Sequence, residues 1–227
     1  MATDAGLAFI GRQLADSLAG LTVIEVGSLE GGANDVRPIV EARGPARYLG
    51  IDVIMGPGVD LIGSVERLTA TTGADVADLV VSAEVMEHVR DWRTAISEMK
   101  RALRPGGRLL ITTRSPGYPF HVSPFDYWRY TTDDAVAIMA DMEDVVVEAD
   151  PAMPGVFISA RMPADFRASD LSAFELTSVL TGRREMQIRD RWVWRKRLSS
   201  PRRIVSFLLP HDAKARILRT RLGSKLR

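Results

Sequence analysis

Two sets of residues in this chain have the types and spacing to do chemistry. In the first, Glu25, Gly27, Ser28, Gly31 and Gly32 sit in or just after the apolar run Leu21, Val23, Ile24 and Val26. A short β-branched run broken by glycine and followed by helical periodicity predicts a strand, a tight turn and a helix start. Such a turn lets a ligand lie against bare backbone and meet the free N–H groups of the helix. The second set is Glu84, Glu87 and His88 in one short stretch, with His121 and Asp126 in an aromatic segment further on. A histidine of ordinary pKa, about 6.5, is mostly neutral near pH 7 and able to accept a proton.

The elements that must position these groups follow from periodicity. Leu7, Ile10, Leu14 and Leu18 predict a lead-in helix over 7–18, and a first crossover helix follows the glycines over 33–42. Strands are predicted at 47–53, ending near Asp52, then at 59–62, 78–82 and 108–113, with a helix over 92–103 that Arg104-Pro105-Gly106-Gly107 stops. Strands alternating with helices at this rhythm mean a parallel sheet covered on both faces. After a helix over 131–142, whose Thr-Thr-Asp-Asp start can cap it, two strands at 145–149 and 156–160 are separated only by Asp150 to Gly155. That link is too short for a crossover helix, so the last two strands pair antiparallel. The predicted fold is α/β: a Rossmann-like, doubly wound, seven-stranded sheet, mostly parallel with an antiparallel last hairpin, plus a basic, mostly helical C-terminal extension. The boundary falls between 1–162 and 163–227.

Composition narrows the function. The chain has 227 residues and no cysteine, which excludes disulfides, thiolate zinc sites and cysteine nucleophiles. No apolar run reaches the roughly 18 residues needed to span a bilayer, and residues 1–11 lack the pattern of a signal peptide, so a cytoplasmic location is expected. A net charge of +1 conceals a split: from Arg161 onward there are 17 Lys/Arg against 6 Asp/Glu. A basic tail therefore follows an acidic body.

Several motifs stand in order: Glu25-Val26-Gly27-Ser28-Leu29-Glu30-Gly31, Asp52 at the end of strand two, AEVMEHVRDW over 83–92 and LRPGGRLLITT over 103–113. From about Leu21 to Arg161 the chain resembles the class I S-adenosylmethionine-dependent methyltransferases, in particular the group with a type 11-like domain. Leu29 departs from the family's loop, where a middle glycine is usual. The resemblance implies S-adenosylmethionine as cofactor, held by Glu25, Gly27, Ser28 and Gly31. Asp52 would accept from the ribose hydroxyls, since two geminal oxygens suit a vicinal diol. Ser64 and Val65 would lie at the adenine edge, and Ser82 and Glu84 where the methyl group lies. A nicotinamide-binding protein would carry G-x-G-x-x-G, which Leu29 spoils, and a nucleotide hydrolase G-K-[ST], which is absent.

Methyl transfer needs a lone pair in line with the methyl and, for a hydroxyl acceptor, a base at the carboxyl ends of the strands. His121 is the first choice of base, with Glu84 and His88 as further catalytic candidates; the simpler readings are a loop histidine and a packing histidine. Tyr118, Phe120, Asp126, Tyr127, Trp128, Arg129 and Tyr130 form the expected substrate wall, with loop packing as the competing reading. Aromatic faces beside polar groups suit a sugar or other polyhydroxylated acceptor, so O-methylation of a small molecule is the expected reaction. The [DNS]-P-P-[YFW] signature of base-directed amino methylation is absent after strand four. No spacing is that of a dense metal motif, and no metal is expected, though Glu84, Glu87, His88, His121 and Asp126 leave a magnesium-assisted variant open.

In the extension, 171–180 and 187–198 read as helices, the second with Trp192 and Trp194 among five basic residues from Arg189 to Arg197. A solvated face or a docked helix is the expected role. The alternatives are a grip on an anionic substrate, a membrane-surface helix, RNA binding by a fold with little or no turnover, or self-association as a homodimer. Tight, salt-dependent nucleic-acid binding is not expected.

Overall fold

The computed structural model describes residues 2–30, 35–121 and 125–198. Helix α1 (Asp4–Gln13) starts at Thr3, whose hydroxyl accepts from the Gly6 amide at 3.0 Å. Strand β1 (Thr22–Val26) follows, then the described part of the first crossover, α2 (Arg37–Glu41), and β2 (Arg47–Asp52), β3 (Leu61–Ile62), α3 (Leu68–Thr72) and β4 (Ala77–Ala83). Asp91 caps α4 (Trp92–Ala102) by accepting from the Thr94 amide at 3.2 Å. Trp92, Ala95, Ile96 and Met99 recur at helical spacing on that helix and are all buried.

Strand β5 (Leu103–Arg114) begins earlier than its apolar run. Leu103 pairs with Ala77 and Arg108 with Leu79, so residues 104 to 107 bulge out of the ladder. Next come β6 (Trp128–Arg129), α5 (Thr132–Ile138), β7 (Glu143–Ala149) and β8 (Gly155–Arg161). A reciprocal capping box between Thr131 and Asp134 starts α5.

The large sheet has seven strands in the order β3-β2-β1-β4-β5-β8-β7. Pairing is parallel from β3 to β5 and antiparallel at β5–β8 and β8–β7. The expected Rossmann-like sheet with its antiparallel hairpin is therefore present. On one face Val23, Leu79, Val81, Leu110 and Phe157 pack with Phe9 and Ile10 of α1 and Val40 of α2. Among the described residues, no helix is long and apolar enough to cross a membrane.

The chain divides into two compact units, one ending at Gln187 and the other beginning at Ile188. The division expected at residue 162 thus falls inside the first unit. Strands β9 (Leu176–Ser178) and β10 (Arg184–Glu185) join β6 in a second, three-stranded antiparallel sheet. The helix predicted over 171–180 is replaced by this strand pairing. Arg93 of α4 ties the segment down, its guanidinium donating to the carbonyls of Leu171, Phe174 and Met186 while it stacks on the Trp92 ring. In the second unit, α6 (Asp190–Leu198) is the helix predicted over 187–198, with the Arg189 and Arg191 guanidinium groups beside the Trp192 ring. The membrane-surface reading of the tail lies on residues 204–209, outside the described residues.

Candidate active site

Strands β1, β2, β4 and β5 are parallel neighbours, so their carboxyl ends share one edge of the sheet. After β1 the chain turns at Gly27 with φ +78°, and a Cβ there would collide with the Val85 side chain. The amides of Gly27 and Ser28 both donate to the Ile51 carbonyl, at 2.8 and 3.2 Å, which locks the turn to β2. Glu25, Gly27, Ser28, Asp35, Arg37 and Ala83 line a cleft beside it. The Ser28 hydroxyl is buried there without a hydrogen-bond partner, and so is that of Ser82 on β4. Gly31 lies outside the described residues.

Asp52 ends β2 and accepts from the amides of Leu29, at 3.3 Å, and Ile54, at 3.1 Å. It therefore ties the β1 turn to its own loop. Ser64 caps the turn Val65–Arg67 by accepting from the Glu66 amide at 3.2 Å, and Val65 is buried.

Glu25 is almost wholly buried and accepts from the Tyr48 hydroxyl, while Arg37 lies 4.3 Å over the Tyr48 ring and 2.5 Å from Asp60. Burial pushes the Glu25 carboxyl up to about 7, against a lowering contribution from the Tyr48 bond. A carboxyl whose pKa is raised on folding is protonated in the native state while already ionised in the unfolded chain. Its contribution to stability is therefore lost as pH rises from about 4.5 to about 7. We expect the ligand-free protein to lose on the order of 3 kcal/mol across this window through Glu25. Urea unfolding of the parent and Glu25→Gln at pH 5 and pH 8 measures it: the variant should gain on the parent at the higher pH only. An equal difference at both would remove Glu25 as the cause.

The second set assembles after β4. Glu84 leaves the strand with φ +59°, an uncommon conformation for a residue with a side chain, and its amide donates to the Thr112 carbonyl at 2.9 Å. Its carboxylate pairs with Arg114 and accepts from the Thr112 hydroxyl at 3.1 Å. Burial, then the neighbouring Glu87 carboxylate, push Glu84 up to about 7. One turn of 3₁₀ helix, Met86–His88, then brings Glu87 and His88 to the end of β5. Glu87 is fully buried; the Thr113 hydroxyl donates to its Oε2 at 2.9 Å, while Oε1 has no donor. Its pKa is raised by burial.

His121 joins this pair. Its Nε2 lies 3.2 Å from His88 Nε2 and 4.0 Å from Glu87 Oε1, and His88 Nε2 is 3.7 Å from the same oxygen. The His88 Nδ1 faces the Phe125 carbonyl, and the His121 Nδ1 lies 3.1 Å from Asp126 Oδ2. Burial lowers the pKa of both rings and favours neutral imidazole. The structure thus brings together His121, His88 and Glu87, with Glu84 in the next contact through Arg114.

The aromatic wall expected over 118–130 is mostly interior, which corrects its reading as substrate surface. Arg129 is buried and holds Asp126 by two bonds, at 2.5 and 2.7 Å, with further bonds to the carbonyls of Tyr118, Pro119 and Trp128. The Trp128 indole donates to the Arg90 carbonyl and the Tyr130 hydroxyl to the Met86 carbonyl, both at 3.1 Å. Tyr127 is buried with its amide on the Glu87 carbonyl. Their polar groups are satisfied by protein, so they shape the site from behind. Tyr118 and Phe120 keep part of their surface exposed, and Tyr118 stands edge-on to His121 at 5.3 Å between centroids.

Sequence reasoning ranked Glu87 behind Glu84 and His88, and passed over Arg114 and the cleft residues Asp35 and Arg37. The only signal for Glu87 was its position beside His88.

Residues 5–139 match a family model described as a methyltransferase domain. Over 129 residues the chain is 32% identical to a probable S-adenosylmethionine-dependent methyltransferase of Mycolicibacterium smegmatis, covering 50% of this chain and 48% of that protein. The chain thus spans about half the length of this curated relative. Among solved structures it is similar to the 1,6-didemethyltoxoflavin-N1-methyltransferase of Burkholderia thailandensis, with a TM-score of 0.54, 16% identity and coverage of 70% of this chain and 77% of that one. It is also similar to the CurJ carbon methyltransferase, with a TM-score of 0.51, 14% identity and coverage of 67% and 50%. These last two likenesses concern the fold, and the two proteins methylate different elements.

Proposed function

Because the chain belongs to the S-adenosylmethionine-dependent methyltransferase domain family, we propose that it methylates a hydroxyl oxygen of a small molecule, with a sugar or other polyhydroxylated compound as the favoured acceptor. The observation that carries this reading is the cluster of Glu87, His88 and His121 just beyond Ala83, which itself lines the cleft. Two imidazoles and a carboxylate are proton acceptors, which a hydroxyl acceptor needs and an amine already carrying a free lone pair does not.

The residues present fit the cofactor. Gly27 lines the cleft without a side chain, the Ser28 and Ser82 hydroxyls are without partners, and Asp52 presents two carboxylate oxygens beside the turn. S-adenosylmethionine, when bound, supplies a methyl group on a sulfonium sulfur. At the other end His121, part-exposed and neutral, offers the Nε2 lone pair to the hydroxyl proton, and Asp126 holds its backbone by accepting from the His121 amide.

Asp52→Ala is expected to weaken S-adenosylmethionine binding by about 2 to 3 kcal/mol, through loss of two charge-assisted acceptors. Calorimetric titration checks this, and unchanged affinity would take Asp52 out of the site. The acceptor class is tested by incubating the protein with S-adenosylmethionine and panels of polyols, sugars, phenols and amines, following release of S-adenosylhomocysteine and identifying the methylated atom by NMR. Turnover confined to amine or carbon acceptors would sink the proposal.

A further inference from the structure

We infer that Glu87, His88 and His121 form a binding site for one divalent first-row transition cation, with His88 Nε2, His121 Nε2 and Glu87 Oε1 as its ligands. The binding claim stands on geometry; its catalytic meaning rests on the proposal that this cluster is the acceptor end of the active site.

The ring protons decide which nitrogens are free to bind an ion. A carbonyl oxygen only accepts, so His88 Nδ1, facing the Phe125 carbonyl, carries a hydrogen, and in the neutral ring Nε2 is a bare lone pair. His121 Nδ1 lies 3.1 Å from Asp126 Oδ2 without hydrogen-bonding geometry to it, so its tautomer is set at Nε2, and an ion bound there selects the form with the hydrogen on Nδ1. The two Nε2 nitrogens are 3.2 Å apart, and Glu87 Oε1, buried and without a donor, is 3.7 and 4.0 Å from them. In that tautomer three lone pairs face one another, and an ion between them replaces the hydrogen that joins the two rings in its absence.

The dimensions suit a metal ion. Bonds of about 2.2 Å from a central ion to three ligand atoms leave those atoms roughly 3 to 4.4 Å apart, the range these three occupy. Each ligand is also held from behind. His88 is oriented by the Phe125 carbonyl and Glu87 by the Thr113 hydroxyl at 2.9 Å, while His121 is placed through its backbone amide on Asp126 Oδ2 at 2.8 Å. That is the outer arrangement that fixes tautomer and direction in metal-binding histidines and carboxylates. Two imidazoles with one carboxylate suit zinc, manganese, iron or cobalt better than magnesium or calcium, which take oxygen ligands. Three protein ligands leave coordination positions free, and His121 has about a third of its side chain exposed, so the site is open on one side. An acceptor hydroxyl reaching it becomes more acidic. Its proton then passes to water, and the oxygen lone pair forms the new O–C bond as the S–C bond breaks; His121 serves as ligand in that state and as base only in the metal-free one.

The test uses the full chain, stripped of metal by chelation and titrated with Co²⁺ by visible absorbance and with Zn²⁺ by calorimetry. We expect one ion per chain, a ligand-field band on cobalt addition, and affinity lowered roughly tenfold or more in His121→Gln and in His88→Gln. Circular dichroism confirms that each variant is folded, and His121→Gln, at the most exposed of the three positions, is the one most tolerant of change. Absence of saturable binding by the parent, or binding undiminished in both histidine variants, overturns the site. Saturable binding in a protein that methylates only amines supports the cation site and removes the proposed function. Hydroxyl methylation that survives chelation, with no cobalt band, overturns the site and leaves the proposed function standing.

Discussion

Replacing His121 with alanine is expected to lower turnover of a hydroxyl acceptor by about 10² to 10⁴, the contribution typical of a group that handles a proton in the transition state. S-adenosylmethionine affinity should be unchanged. The separation follows from the structure: the turn after β1, where the cofactor is proposed to bind, is tied to β2 through Ile51 and Asp52, whereas His121 touches Asp126, His88 and Tyr118. Rate at saturating acceptor and calorimetric cofactor affinity are to be measured on one preparation whose fold is verified. Near-full turnover would move the ionising group elsewhere, with Glu84, Glu87 and His88 next to examine. A parallel loss of cofactor affinity would make His121 a residue that shapes the fold.

Arg129→Met should destabilise the protein by about 3 to 5 kcal/mol, because it leaves the Asp126 carboxylate charged and buried without its partner. Neither side chain reaches solvent: Arg129 is 2% and Asp126 1% exposed. The guanidinium also holds three carbonyls of the surrounding loop. The double variant Arg129→Met with Asp126→Leu removes both charges and should recover a large part of the loss. Urea unfolding midpoints of the parent, single and double variants form the check. A single-variant cost under about 1 kcal/mol would place the pair in the class of exposed ion pairs and contradict its burial. Since Asp126 also accepts from the His121 amide at 2.8 Å, the folded fraction of the double variant should turn over slowly.

What was legible in the sequence is what ten or so consecutive residues encode. The β-branched run before Gly27 is a strand because period and branching favour one, and the turn is at Gly27 because only glycine accepts φ +78° against Val85 without strain. The brevity of Asp150 to Gly155 alone required an antiparallel β7–β8 pair. The Thr-Thr-Asp-Asp start of α5 announced a helix, because the Thr131 side chain satisfies an amide three residues on.

Other features depended on residues far apart in the chain. Tyr127, Trp128 and Tyr130 read equally well as a substrate wall or as packing. They became packing because Ser178 and Thr177 pair with Trp128 and Arg129, and because the Met86 and Arg90 carbonyls satisfy the polar tips of Tyr130 and Trp128. Strand β9 likewise formed where apolar spacing suggested a helix, since pairing with β6 and the grip of Arg93 outweigh a weak local preference. Within EVMEH, the sequence favours Glu84, which leaves strand four, over Glu87. A single 3₁₀ turn beside Thr113 put Glu87 against both imidazoles, while Glu84 was drawn to Arg114. Local chemistry thus set the strands, turns and caps, while long-range pairing and burial chose which acids and rings face one another, because those energies arise only once distant segments have met.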